Sequence, residues 1–288
     1  MVSGADARLC EMYDVALLDL DGVVYVGGSA VPGAPEAIAQ AREAGMRTVF
    51  LTNNASRTPE TVARQLAELG VEASAADVVT SAQAAARELV GQYGEGARVS
   101  VLGGEGLWTA VREAGLEAVS VEDDAVALVT GYGPDVPWRD VMRAAVLVRN
   151  ALPWVASNTD QTIPTDYGVA PGHGVQVDLI RRFSGREPVV AGKPEAPLFE
   201  TARARFGSRR PLMIGDRLDT DIAGARRAGI DALLVLTGIS TRAEAEGTPQ
   251  ELQPTYVAED LGALLKSADE VAWPSRGADE KGSVGDAE

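Results

Sequence analysis

Short apolar runs alternate with longer amphipathic stretches along this chain, a rhythm that predicts strand–helix–strand units and a parallel sheet. Val15-Ala16-Leu17-Leu18 is unbroken apolar sequence, as a strand buried on both faces requires. Further strands are predicted at 48–51, 78–80, 98–102, 125–130, 154–157, 188–191, 211–214, 232–236 and 256–258. Helices are predicted at 35–44, 82–90, 107–114, 137–150 and 175–183, and another begins at Thr58-Pro59 and ends at Gly70. In the 137–150 helix, Val141, Ala144, Ala145 and Val148 form a stripe at helical spacing that predicts packing. Residues 269–288 are polar, contain glycine and lack a period, which predicts a disordered tail.

Several of these strands end in polar residues. The first delivers Asp19 and Asp21, and Gly22 opens a turn. Carboxylates two apart on an extended chain point the same way. They repel unless a cation or a shared proton relieves them. This end suits a hard divalent metal and acid–base or nucleophilic carboxylate chemistry, although a solvated acidic turn would carry the same letters. The 48–51 run ends in Thr52-Asn53-Asn54, the 188–191 run in Gly192-Lys193-Pro194, and the 211–214 run in Gly215-Asp216, with Asp219 and Asp221 following. Open parallel sheets bind ligands beyond the carboxyl ends of their strands. Singly, Thr52 reads as a helix cap, Lys193 as a solvated loop residue and the 216–221 acids as helix-start decoration. The ordered set is harder to dismiss.

Composition narrows the field. A chain of 288 residues with 45% hydrophobic content can build a real core. Its formal charge of −16 argues against nucleic acid or an anionic membrane as a partner, and requires a local cation to draw in an anionic substrate. No apolar run approaches the roughly 18 residues of a membrane span. The first residues lack an apolar signal core, so a cytoplasmic protein is expected. Cys10 is the only cysteine and His173 the only histidine, which excludes an internal disulfide and two-histidine metal motifs. Gly192-Lys193 is followed by proline rather than Ser or Thr, and Gly131-Tyr132-Gly133 lacks a third glycine, so neither nucleotide-binding loop is present.

The set Asp19-Leu20-Asp21-Gly22-Val23, Leu51-Thr52-Asn53-Asn54, Gly192-Lys193-Pro194 and Gly215-Asp216-Arg217-Leu218-Asp219-Thr220-Asp221 resembles the haloacid dehalogenase superfamily of phosphatases. The long segment between the second and third motifs is similar to its nitrophenylphosphatase-like branch, which carries a large α/β cap. The resemblance implies an α/β fold: a doubly wound, Rossmann-like parallel-sheet core with an inserted α/β cap domain. The core would be 10–82 and 185–268, and the cap 83–184. It leaves room for a homo-oligomer formed through the cap.

The resemblance also implies roles. Asp19 is the nucleophile that becomes an aspartyl-phosphate. Asp21 protonates the leaving oxygen, then activates water, while its carbonyl binds the metal. Thr52, with the amides around Asn53 and Asn54 and the Gly22 turn, holds phosphate oxygens. Lys193 stabilises the nucleophile and the transferring group. Mg2+ sits on Asp19, Asp21 and Asp216, with Asp221 holding a metal-bound water or orienting a ligand. Magnesium suits an all-oxygen donor set better than zinc does. Asp219 is read as a helix-start residue.

The substrate expected is a small phosphomonoester. Asn158 and Asp160 follow the 154–157 strand, and loops similar to theirs contact the leaving group in this branch. An Asp160 facing the pocket would accept hydroxyls of a polyol or sugar, which puts glycerol phosphate ahead of phosphoglycolate and sugar phosphates. A plain Asn/Asp-rich turn is the competing reading of that loop. A phosphotransferase, or a non-catalytic binding or regulatory protein on the same scaffold, is the alternative to a phosphatase.

Overall fold

In the computed structural model, which describes residues 7–165 and 167–273, the Val15–Leu18 strand lies inside a six-stranded sheet, with all four residues buried. Arg47–Thr52 flanks it on one side and Val78–Thr80 lies beyond. Pro211–Gly215 flanks it on the other, followed by Asp231–Val235 and Tyr256–Ala258. Every pairing is parallel. Leu18 is in register with both Phe50 and Ile214, so the three central strands release their next residues at one level. The chain continues from Val15–Leu18 to one side and later returns on the other. That makes this strand the topological switch point, where open α/β sheets bind ligands.

Alternate residues of these strands enter two separate layers. Leu18, Phe50, Ile214 and Leu233 pack with Leu9, Ile38 and Leu66 on one face. Leu17, Val49, Met213 and Leu234 pack with Leu198 and Phe199 on the other. Two buried faces explain why the strand sequences are continuously apolar rather than alternating.

The insert forms a second parallel sheet, ordered Val189–Val190, Trp154–Ala156, Ala127–Thr130, Arg98–Leu102 and Glu117–Val119. Trp138–Arg149 and His173–Ser184 cover one face of it, and Val141, Ala144, Ala145 and Val148 are buried there with Val177 and Ile180. The stripe is packing, as its spacing predicts. Ser81–Tyr93 joins the two sheets. Its Ala82, Ala85, Ala86 and Leu89 belong to the cluster that holds Leu17 and Met213 of the first sheet and Val99 and Val129 of the second.

Three expectations need correction. The 188–191 run is not a core strand: Val189 and Val190 pair with Val155 and Ala156 of the insert. Lys193 therefore reaches the core on a crossing loop. Residues 269–273 are not part of a disordered tail: Ala268–Val271 is helical, Val271 is buried, and the Trp273 amide bonds the Thr255 carbonyl at 2.9 Å. These two apolar anchors hold the segment, and the rest of the predicted tail, 274–288, lies outside the described residues. No element is predicted between the 154–157 strand and the 175–183 helix, yet Thr162–Thr165 and Gly168–Pro171 form an antiparallel hairpin there. Among the described residues, no helix is long and apolar enough to cross a membrane.

Because Leu18 is fully buried at the sheet centre, Leu18→Ala is expected to cost about 2–5 kcal/mol. A urea unfolding midpoint, compared with wild type at unchanged slope, measures it.

Candidate active site

Three strand ends meet at the switch point. Asp19 follows the central strand, and its amide bonds the Ile214 carbonyl at 2.9 Å. Thr52 ends one neighbour and Asp216 follows the other. The ammonium of Lys193 enters between them, 2.6 Å from Asp19 Oδ1 and 2.7 Å from Asp221 Oδ1. Lys193, Asp216 and Asp221 are buried, and Asp19 is 9% exposed at the cavity floor. Burial disfavours the charged ammonium, but Asp19 and Asp221 outweigh it and hold Lys193 above the ordinary lysine range.

The carboxylates outnumber that one cation. Oxygens of Asp19, Asp216 and Asp221 lie within 4.8 Å of one another. Burial and then the charge of Asp19 push Asp216 up to about 6. Burial likewise pushes Asp221 up, with Lys193 opposing. Asp216 Oδ2 accepts the Ile239 amide at 2.8 Å, while its Oδ1 is buried with no hydrogen-bond partner among the described residues. An orphaned carboxylate oxygen in an all-oxygen cluster of excess negative charge fits a hard divalent cation. Asp221 sits behind the others, with one oxygen on Lys193 and the other accepting the Arg217 amide at 3.2 Å, which suits orienting more than direct ligation. Asp219 is outside the cluster, 68% exposed, and paired with Arg217 at 2.8 Å.

Glycines make room for Asp216. A Cβ on Gly22, whose φ is +82°, would lie 2.4 Å from Asp216 Oδ2. One on Gly238 would lie 2.0 Å from it. The carboxylate is thus seated in a slot that admits no side chain on either wall.

Asp21 is partly buried beside Asp19. Burial, then Asp19, push it up to about 6, opposed by Arg57 and Lys193 and by a hydrogen bond from Tyr25. Arg57 Nη2 also donates to the Tyr25 hydroxyl at 3.3 Å, and the Gly22 amide bonds the Tyr25 carbonyl at 2.8 Å. Tyr25 and Arg57 were not anticipated. A small hairpin, Tyr25–Val26 with Ser29–Ala30, brings Tyr25 back over Asp21, and only the bare tyrosine near the first motif hinted at it.

A cavity of about 420 Å³ opens over these groups. Asp19, Asp21, Gly22, Thr52, Asn53, Asn54, Asn158, Asp160, Lys193 and Asp216 all line it, together with Arg217 and the insert's Ile163 and Val169. Thr52 Oγ1 accepts the Asn54 amide at 3.0 Å, and Asn54 Oδ1 accepts the Ser56 amide at 2.9 Å, so the loop beyond this strand is a locked turn. Asn158 is buried and bonded: Nδ2 reaches the Asn53 carbonyl at 2.7 Å and Oδ1 takes the Asp160 amide at 3.1 Å. Asp160 Oδ1 accepts from Asn53 Nδ2 at 3.1 Å, and burial pushes its carboxyl up.

His173 braces this loop. Its Nδ1 lies 2.8 Å from the Asn158 carbonyl, which only accepts, so Nδ1 carries the proton. Nε2 then accepts from the Thr130 hydroxyl at 3.1 Å, and that oxygen accepts Trp154 Nε1–H at 3.0 Å. Burial drops the ring to about 4, so it stays neutral.

Comparison with known proteins agrees with this geometry. Two family descriptions match: haloacid dehalogenase-like hydrolase over residues 16–117 and HAD-hydrolase-like over 190–264. The chain is 43% identical over 257 residues to D-glycerol 3-phosphate phosphatase of Mycobacterium tuberculosis, covering 89% of this chain and 72% of that protein. It is similar to the crystal structure of glycerol phosphate phosphatase from Mycobacterium tuberculosis in complex with magnesium, with TM-score 0.90, 42% identity, and coverage of 94% and 82%. It also resembles the 4-nitrophenylphosphatase of Thermotoga maritima, with TM-score 0.83, 30% identity, and coverage of 91% and 100%.

Filling the slot with Gly238→Ala is expected to displace Asp216 and weaken Mg2+ binding by about tenfold or more, since supporting contacts around ligands typically carry that much. Titration calorimetry with Mg2+ reads this out, with circular dichroism confirming a retained fold.

Proposed function

The chain belongs to the haloacid dehalogenase-like hydrolases, and we propose that it is a magnesium-dependent phosphatase of small phosphomonoesters, glycerol phosphate foremost, acting through an aspartyl-phosphate. The observation that carries this reading is the Asp19 carboxylate on the cavity floor, 2.6 Å from a buried ammonium and beside the orphaned oxygen of Asp216. An acid held in that way is poised to attack phosphorus rather than to be solvated.

Asp19 and Asp216 would hold the metal, with the Asp21 carbonyl. When bound, the ion would neutralise charge on the nucleophile and on the phosphate oxygens. In the first displacement the Asp19–phosphorus bond forms and the ester bond breaks, with Asp21 giving its proton to the leaving oxygen. In the second, Asp21 takes a proton from water as that water displaces Asp19 from phosphorus. Two easier steps replace one hard one. Lys193 stays beside Asp19 throughout and offsets charge on the transferring group, a buried and preorganised stabiliser. Thr52 and the turn after it face the phosphate, and Asp221 keeps Lys193 aimed.

The insert would close the site as a cap. Its Asp160, on the cavity wall, would accept the hydroxyls of a polyol leaving group. A pocket of about 420 Å³ suits small soluble esters. A net charge of −16 argues against nucleic acid and anionic membranes as partners.

Asp19→Asn is expected to abolish turnover and Asp21→Asn nearly so, both with the fold intact. Activity should vanish on chelation and return with Mg2+, and Asp219→Ala should leave that dependence alone. A coupled phosphate-release assay checks each, and full activity of a chelated enzyme would sink the metal's role.

Asp160→Ala is expected to lower kcat/KM for glycerol phosphate by about tenfold more than for an aryl phosphate, because only the former offers hydroxyls. Equal losses on the two substrates would make Asp160 structural.

A further inference from the structure

The Asn53 side chain spends both of its N–H donors, and an acceptor site of its oxygen, within the protein. Oδ1 accepts the backbone amide of Lys193 at 2.8 Å. Nδ2 donates to the backbone carbonyl of Lys193 at 3.1 Å and to Asp160 Oδ1 at 3.1 Å. An amide has two N–H donors, and both are now used. The carbonyl of Asn53 accepts from Ser81 Oγ at 2.6 Å and from Asn158 Nδ2 at 2.7 Å. No side-chain donor remains for a phosphate oxygen, so the side chain's work lies elsewhere than in substrate binding.

That work is visible in what it grips. Lys193 arrives on a loop, three residues past a two-residue strand of the insert, and is not held in the core sheet. Its backbone is fixed by a two-point clamp that matches one peptide N–H and one C=O. A carboxamide offers both partners, an acceptor oxygen and a donor nitrogen, on one planar group. The fit is close: a Cβ on Gly192 would lie 2.6 Å from Asn53 Oδ1 and 2.6 Å from the Ser157 carbonyl. The same amide continues to Asp160, and the same residue's carbonyl to Asn158, so one residue joins the core strand, the lysine loop and the insert's 157–160 loop.

We propose that Asn53 is a positioning residue, the latch that seats Lys193 against Asp19 and ties that seat to the insert loop on which Asp160 stands. The inference rests on the phosphatase reading. Asn53→Ala leaves the peptide N–H and C=O of Lys193 without partners and lets the ammonium drift. A shift of this kind costs on the order of a hundredfold in kcat.

The test is steady-state kinetics of Asn53→Ala, Asn53→Asp and Gly192→Ala on an aryl phosphate and on glycerol phosphate, with melting temperatures alongside. The expected result is a fall in kcat of about a hundredfold for Asn53→Ala on both substrates, with KM within about threefold of wild type. Gly192→Ala should show the same pattern, since it pushes on the latch from the other side. Asn53→Asp keeps the shape and one of the three bonds, and sets a carboxylate against Asp160 and the Lys193 carbonyl. It should lose kcat while melting close to wild type, and it decides the matter if Asn53→Ala does not fold. The proposal is overturned if the folded variants keep wild-type kcat, if the loss lies in KM alone, or if only glycerol phosphate is affected. An inactive wild-type protein would instead refute the phosphatase reading.

Discussion

The ammonium of Lys193, 2.6 Å from Asp19 and 2.7 Å from Asp221, is the contact on which the rest of the site depends. Four acids, Asp19, Asp21, Asp216 and Asp221, gather at the end of one sheet, and like charges in so little water drive one another toward protonation. A single buried cation offsets part of that repulsion. The remainder is what gives the site its appetite for a divalent ion, and the unpartnered oxygen of Asp216 shows where the imbalance sits. Removing one member of a buried ion pair leaves the other uncompensated, so Lys193 and Asp221 stand or fall together.

The fold supplies this contact from two directions. Parallel register levels Asp19 with Leu51 and Gly215, so Thr52 and Asp216 emerge one residue beyond it and Asp19 and Asp216 need no special loop to meet. The lysine comes from the other sheet and has to be caught. Asn53 catches it, and Asp221, Asn158 and His173 brace the surroundings. Rigid elements carry the acids, and hydrogen bonds carry the cation.

Much of this was legible in the letters. The apolar run before Asp19 and Asp21 announced a central strand, and the order of polar strand ends announced a shared site. The α/β class and the insert followed from rhythm and resemblance. What stayed hidden was whatever depends on pairing across the chain. Two valines before Gly192 look like any core strand, and only register against Val155 and Ala156 assigns them to the insert. Asn53 and Asn158 line the cavity, but sequence does not show that the Asn53 side chain bonds Lys193 and Asp160 or that the Asn158 side chain bonds the Asn53 carbonyl. Tyr25 and Arg57 meet Asp21 through a hairpin and a helix start that carry no common spacing. Val271 and Trp273 look like part of a polar tail until their contacts with the last strand are seen.

The alanine-rich helix Ser81–Tyr93 has a bearing on how such enzymes can be recombined. Its small side chains let one apolar layer run without a break from beneath the first sheet to beneath the second. A chimera cut at the first residue of the insert would split that layer and expose both halves. A graft with a foreign insert has to bring a matching helix, or the recipient's Leu198 and Phe199 lose the surface they pack against. Inheritance of new specificities in this scaffold is therefore easier through the loops at the rim than through exchange of the whole upper module.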